Sequence, residues 1–498
     1  MSGDLLFAAL AARAPDEVVL QGTTQTWRTA ELLSAIELLA SRLASSRVLA
    51  VLADNGPAWV IADLAALRAG IVHLPLPDFF SQAQLAHALE QSGADTLLTD
   101  QPARIAKLDL GFAIGGKWHG LVWMQRSAVS VSLPTATAKV SFTSGSTGTP
   151  KGACLSAAGL LDTARAVASR LADLPIRRHL AVLPLPLLLE NSAGVYAPLL
   201  RGAEVCLPDL QRLGWRGMAG FDPAALQREV DAARPDSLIL VPELLKAWSL
   251  FLTAAGQRAP AALRYLAVGG ARVSPALLSE ARALGLPAYQ GYGLTECGSV
   301  VSINRPGDDG NDVGRPLDHV GVRIVDGEVR VAARAFLGYV GEPPIETAGT
   351  LVPAREFATG DLGCFDADGH LHLSGRCRNL LITSYGRNIA PEWVESVLLA
   401  QPAIAQAVVA GDGKPWLSAV LVGSPGVDAA GLAAAVQRAN AALPDYARVA
   451  RWIAAAPFGA ANALATGNGR PIRSAIFTQY AAELAALYLD QEATNVVL

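Results

Sequence analysis

The chain predicts an α/β protein: a large N-terminal domain of βαβ layers, a β-rich subdomain, and a small α+β domain at the C-terminal end. Three observations carry this. Apolar strand-like runs alternate with helically spaced segments over most of the chain. An Asp326-Gly327 hairpin signal then sits inside period-two alternation, and beyond Gly375 the strand signals become short and turn-linked. At 498 residues the chain exceeds one ordinary core, so two or more domains are expected. Hydrophobic content of 51% with 17% charged residues indicates a well-buried globular protein. The net charge of −4, with no basic block, argues against nucleic-acid and polybasic-membrane partners.

Taken in order, residues 5–12 are apolar, but Asp4 precedes them and no basic segment does, so they read as a helix rather than a signal peptide. A continuous apolar run at 48–53, helical spacing at 59–69 and a second apolar run at 71–76 form a βαβ rhythm. The rhythm continues with a helix over 157–172 and strands at 179–185, 204–207, 238–241 and 263–268. The longest apolar run, 180–189, holds Pro184 and Pro186 and falls far short of the roughly 20 residues a membrane span needs. Five cysteines fall singly, without metal spacing, as suits a reducing cytoplasm. Residues 322–331 read as a hairpin. A strand at 405–410, a turn at Asp412-Gly413, a strand at 417–422 and a helix over 429–443 complete the smaller domain.

Chemistry concentrates in VSFTSGSTGTPKGACLS at 140–156. From Thr143 to Gly152 it holds three glycines, five hydroxyl residues and one lysine, directly after an apolar run. Such a composition suits a loop whose amides and hydroxyls converge on one polyanion, and it reads as a nucleotide triphosphate clamp. A flexible Ser/Gly/Thr surface loop is the competing reading. Lys151 follows Pro150 rather than a glycine, so this is not the GxxxxGK[ST] loop. The ordered string TSGSTGTPKG resembles the phosphate loop of the adenylate-forming superfamily, which includes acyl-CoA synthetases, luciferases and peptide-synthetase adenylation domains. That resemblance implies ATP or AMP contacts from Thr143, Ser144, Gly145, Ser146, Thr147, Gly148 and Lys151.

Further strings follow in family order. In LAVGGARVS, Gly269 and Gly270, with Ala271 after them, end a strand where backbone can approach a ligand closely. YQGYGLTECG follows. Gly291 and Gly293 leave space on either side of Tyr292, whose ring offers a face to a purine; Thr295 can donate to a phosphate oxygen, and Glu296 can hold Mg²⁺. Asp361 after Gly360 has two acceptor oxygens for the ribose hydroxyls, and Arg376 can add charge-assisted bonds. LPLPLLLE at 183–190 resembles an acyl-pocket string of long-chain acyl-CoA synthetases. Glu190 matches it, and Leu187 stands where the family has histidine; a buried strand end is the plain alternative. His370 and His372 lie on one face of a strand and, without a third ligand nearby, read as surface residues.

The resemblance implies an adenylation domain over 1–375, a hinge at 376–378 turning on Arg378, and a mobile lid over 379–498. In TGNGRPIR at 466–473, Arg470 stands where the family has a catalytic lysine, keeping the charge but changing its reach. The implied reaction forms an acyl-AMP from ATP and a carboxylic acid, expected to be a medium- or long-chain fatty acid, with an aromatic acid as the alternative. The lid then presents Ser384, Tyr385 and Gly386 to a thiol of CoA. Catalytic roles fall to Lys151, Thr295, Glu296 and Arg470. Two alternatives stay open: a ligase loading the phosphopantetheine of an acyl carrier protein, and a catalytically weak acyl-adenylate binder.

Overall fold

The computed structural model describes residues 4–127, 130–143, 150–216, 220–308, 310–342, 354–385, 387–467 and 469–489. Its contacts divide the chain into two compact units. Unit 1 is Met1–Gly270, Leu284–Arg323 and Arg330–Phe357; unit 2 is Ala271–Ala283, Ile324–Val329 and Ala358–Leu498.

Unit 1 holds two large sheets. The eight-stranded one runs Phe336–Tyr339, Lys151–Ser156, Thr137–Thr143, Val72–Pro75, Val48–Leu52, Thr96–Thr99, Leu121–Gln125, Ala113–Trp118. Its centre is parallel and its flanks antiparallel. The nine-stranded one runs Arg315–Pro316, Ser299–Ile303, Ala288–Leu294, Tyr265–Val268, Ser237–Leu240, Arg178–Leu180, Glu204–Leu207, Val18–Gly22, Thr26–Arg28, again parallel within and antiparallel at both edges.

A single apolar core joins the two sheets. Leu49, Val51 and Leu155 from one sheet and Leu20, Val205 and Leu207 from the other bury against helices Thr29–Arg42, Pro57–Ala69 and Ala157–Arg170. Val48, Ala50 and Leu52 point the other way, into a second core with Leu85, Leu89 and Ile105. Burial on both faces explains why 48–52 is apolar without alternation. The strand expected over 179–185 stops at Leu180, because Pro184 and Pro186 have no N–H for the ladder. The Asp326-Gly327 hairpin forms between Gly321–Val325 and Glu328–Ala333, with φ of 51° and 79° at the two turn residues, as a type I′ turn requires.

Unit 2 is built on strands Ile404–Ala410, Leu417–Gly423 and Val449–Ala454. Period-two alternation gives each face its own core. Ala407, Val409, Ala419 and Leu421 pack under helices Pro391–Leu399 and Ala429–Ala441, while Val408, Val420 and Val422 pack with Ile476 and Leu484 of the last two helices. Among the described residues no helix is long and apolar enough to cross a membrane.

Candidate functional site

Parallel strands of the nine-stranded sheet end together at one edge, and ligands of open α/β sheets bind outside such carboxyl ends. Gly269 and Gly270 follow strand Tyr265–Val268 there. Gly270 has a φ of 85°, which favours glycine, and a Cβ at Gly269 would lie 3.3 Å from Leu189 Cδ2. The next strand, Ala288–Leu294, is parallel to Tyr265–Val268 as far as Gln290, then turns antiparallel to Ser299–Ile303 from Gly291 onward. This switch is what Gly293 serves: a Cβ there would stand 1.7 Å from the Ser299 carbonyl oxygen. At Gly291 it would meet Ile303 Cγ2 and Ser302 O at 3.0 Å. The neighbouring strand therefore takes the space where side chains at 291 and 293 would stand, and Tyr292 itself is half-buried. Thr295 and Glu296 form the short 3₁₀ turn Thr295–Cys297 just beyond, closed by Gly298 at a φ of 76°.

The hydroxyl loop leaves strand Thr137–Thr143 and returns on strand Lys151–Ser156, with Thr143 opposite Lys151. Ser144, Gly145, Ser146, Thr147 and Gly148 lie outside the described residues. Gly152 is hemmed in, since a Cβ would come within 2.9 Å of Phe142 and Val340 side chains. The Lys151 ammonium lies 5.4 Å from the centre of the Tyr339 ring, and the Tyr339 hydroxyl donates to Glu296 Oε1 at 2.6 Å. Strand Phe336–Tyr339, paired with Lys151–Ser156, thus brings the loop lysine and the acidic turn residue to one phenol. Burial and the carboxylates of Glu296 and Glu342 push that phenol up, so it stays a donor. Sequence reasoning missed Tyr339, whose only signal is an aromatic closing a short apolar run. Among the described residues no group of three His, Cys, Asp or Glu could hold a metal alone. A single carboxylate fits Mg²⁺ completed by phosphate oxygens and water.

Behind these elements lies a fully buried polar cluster that no motif announced. Asp63 of helix Pro57–Ala69 contacts Lys139 Nζ at 2.8 Å and His73 Nδ1 at 2.6 Å, the latter without hydrogen-bond alignment. Its other oxygen accepts from Asn191 Nδ2 at 2.8 Å and the Tyr196 hydroxyl at 2.7 Å. Burial alone would raise the Asp63 carboxyl, but Lys139 and His73 outweigh it and hold it well below the usual range. Asn191 and Tyr196 sit on the π-helix Glu190–Tyr196, a form often found at functional sites. Glu190 is fully buried: Oε1 faces His179 Nε2 at 3.1 Å and Oε2 accepts from Leu183 N at 2.9 Å. It begins a helix and does not end a strand, and both of its oxygens serve the fold.

In unit 2, strands Arg355–Phe365 and Leu371–Arg376 put Asp361 opposite Arg376, with Nε 2.9 Å from Oδ1. Asp361 is 5% exposed, while the Arg376 side chain is 59% exposed. Ala271 begins the first segment of this unit. Arg378 is exposed on the turn Cys377–Asn379. Ser384 and Tyr385 are exposed, Tyr385 at 76%, and Gly386 lies outside the described residues. Exposed Arg470 closes a small loop in which Thr466 N donates to Arg470 O at 2.8 Å and Arg470 N donates to Thr466 Oγ1 at 3.1 Å. His372 Nε2 meets Asp366 Oδ2 at 2.9 Å, so an acidic hairpin residue partners the strand histidine.

Comparison with known proteins follows this layout. Residues 7–342 match the AMP-binding enzyme family, and residues 378–492 match the AMP-binding enzyme C-terminal domain. A 2-succinylbenzoate–CoA ligase of Salmonella typhimurium is 31% identical over 421 residues, covering 80% of this chain and 80% of its own. A long-chain-fatty-acid–CoA ligase of Mycobacterium bovis is 28% identical over 431 residues, covering 74% of this chain and 71% of its own. The structure of an O-succinylbenzoate coenzyme A synthetase from Bacillus subtilis, in complex with AMP, superposes with a TM-score of 0.74 at 25% identity, covering 94% of this chain and 97% of that one.

Proposed function

The chain belongs to the AMP-binding enzyme family, and from that premise we propose that it is an adenylate-forming ligase joining a carboxylic acid to the thiol of CoA. In the first step a carboxylate oxygen attacks the α-phosphate of ATP and pyrophosphate leaves. A carboxylate is already ionised at pH 7, so no strong base is needed; the obstacle is repulsion between anions. In the second step the thiol sulfur attacks the acyl carbon, losing its proton, and AMP leaves.

The observation that carries this reading is the convergence of Lys151, at the returning end of the hydroxyl loop, with Tyr339 and Glu296. Lys151 supplies positive charge to the phosphates, and Tyr339 fixes the orientation of the Glu296 carboxylate. Mg²⁺ held by Glu296 would supply Lewis-acid stabilisation of phosphate charge. In unit 2, Asp361 binds the ribose hydroxyls beside Arg376, and Arg470 steadies the reacting groups during adenylation. Rotation about Arg378 then exchanges Arg470 for the loop bearing Ser384 and Tyr385.

Medium- or long-chain aliphatic acids are the proposed substrates. Support comes from half-buried Leu187 and Leu189, with Leu189 beside Gly269 and Val241 Cγ1 3.5 Å from a Cβ placed on Gly270. An aromatic acid is the second reading, favoured by the 2-succinylbenzoate ligase relative. None of the five cysteines forms a disulfide, which supports a reducing, cytoplasmic setting.

A panel of aliphatic and aromatic acids with ATP, Mg²⁺ and CoA tests the proposal, with pyrophosphate and acyl-thioester masses as readouts. Acid-dependent pyrophosphate release with an acyl-CoA product is expected. Pyrophosphate release with no acyl transfer to CoA would point to a carrier-protein thiol. ATP binding without turnover would leave only an acyl-adenylate binder.

A further inference from the structure

Arg473 lies three residues beyond Arg470, and its surroundings are built differently from those of a surface arginine. Its Nη2 donates to Glu395 Oε2, and its Nη1 lies 3.4 Å from the Val409 carbonyl oxygen. Glu395, on helix Pro391–Leu399, is 8% exposed, and its other oxygen accepts from Val409 N at 2.7 Å. A buried carboxylate with both oxygens engaged is a fixed point. The same Arg473 Nη2 also lies 3.8 Å from Glu392 Oε1, one turn back on that helix. Glu392 Oε1 in turn accepts from Asn379, the last residue of the turn that carries Arg378. At Gly375 a Cβ would come within 2.2 Å of Ala390 Cβ, so the strand leading into that turn is pressed against the start of the helix.

From this we infer that Glu392, Glu395 and Arg473 are positioning residues that clamp the Arg378 turn and the Arg470 loop to one helix, so that the two move as a single body. The inference rests on the adenylation role proposed for Arg470. Between Arg473 and Arg470 the chain has little freedom: Ile472 N donates to Leu464 O at 2.8 Å, and Ala465 pairs with Pro471. Displacement of Arg473 is therefore passed to Arg470. A misplacement of about 1 Å in a charge-stabilising group costs on the order of 100-fold in rate.

The test compares Arg473→Met, Arg473→Lys, Glu392→Gln and the charge-neutral pair Glu395→Leu with Arg473→Met, all in the full chain. Two half-reactions are followed with dodecanoate: pyrophosphate release from ATP, and consumption of synthetic dodecanoyl-AMP by CoA. Hydrogen exchange is followed in parallel over 377–382 and 464–472. Arg473→Met should slow the first half-reaction about 10- to 100-fold and leave the second within about twofold. Arg473→Lys should recover part of the loss, and exchange should quicken in both segments together, in Glu392→Gln as well. Equal loss of both half-reactions, or quickened exchange in one segment alone, overturns the clamp. Arg470→Ala separates the premise from the inference: if it slows both half-reactions equally, the adenylation role of Arg470 fails. If it is selective and Arg473→Met is not, only the clamp fails.

Discussion

Tyr339 and Glu296 meet through one hydrogen bond whose proton stays on the phenol, because burial and the adjacent carboxylate both disfavour phenolate. In the role proposed for Glu296, the bond acts by holding the carboxylate toward phosphate oxygens and keeping it from swinging into solvent. Tyr339→Phe keeps the ring under Lys151 and removes only the hydroxyl. Hydrogen bonds to charged groups contribute roughly 1.5–3 kcal/mol, so acid-dependent pyrophosphate release should fall about 10- to 100-fold with an unchanged circular dichroism spectrum. Undiminished release would show that the bond does not orient the site. Asp63 is a different case, since it stabilises by cancelling the charge of buried Lys139. Asp63→Asn leaves that ammonium buried without an anion and should cost roughly 3–5 kcal/mol in chemical denaturation, whereas Asp63→Leu with Lys139→Met should cost much less. Equal losses for the two would mean that packing, not charge, matters there. Lys151 and Glu296 could be singled out as candidates because each sits inside an ordered string. Tyr339 and Asp63 could not: Glu296 lies 43 residues from Tyr339, Asn191 and Tyr196 lie 128 and 133 from Asp63, and only the folded chain brings them together.

Strands and helices were legible where burial imposes a pattern. The runs at 48–53 and 71–76 read as strands because the parallel sheet buries them, and the Asp326-Gly327 turn follows from two positive φ angles that few residues accept. The strand Ala288–Leu294 was harder. Its glycines suggested room for a ligand, but which backbone fills that room depends on a change of partner partway along the strand. The consequence can be measured. At Gly293 an added methyl would meet Ser299 O at 1.7 Å, Ser299 C at 2.7 Å and Val300 Cα at 2.9 Å, all backbone atoms that cannot turn aside. Gly293→Ala should therefore separate the two strands and shift Thr295 and Glu296 with them. Expected outcomes are a thermal midpoint lowered by several degrees and loss of pyrophosphate release greater than in Tyr339→Phe. Wild-type stability in this variant would contradict the close approach of the two strands.

Over the whole chain, length foretold more than one core, and the alternation that switches from βαβ to hairpins foretold the two kinds of architecture. The discontinuous make-up of unit 2, which gathers Ala271–Ala283 and Ile324–Val329 with the C-terminal part, has no local signal, because contact between distant segments leaves no periodicity. The two units also differ in how acid acts on them. In unit 1, burial lowers His319 to about 4, and its Nε2 lies 3.0 Å from Thr163 Oγ1. A depressed histidine means that the unfolded chain binds the proton more readily. The stability it contributes is therefore whole above about pH 6.5 and drains away as pH falls through about 4. Asp63, held low by Lys139 and His73, adds a further loss below its ordinary range near 3.8. In unit 2 the sign reverses at Glu395, where burial raises the carboxyl against the pull of Arg473, so protonation there favours the folded form. Calorimetry between pH 7 and pH 4 should show the transition of unit 1 moving to lower temperature ahead of that of unit 2, and His319→Gln should remove part of the shift between pH 6.5 and 4. If that variant keeps the full shift, groups other than His319, buried His73 among them, govern the acid response of unit 1.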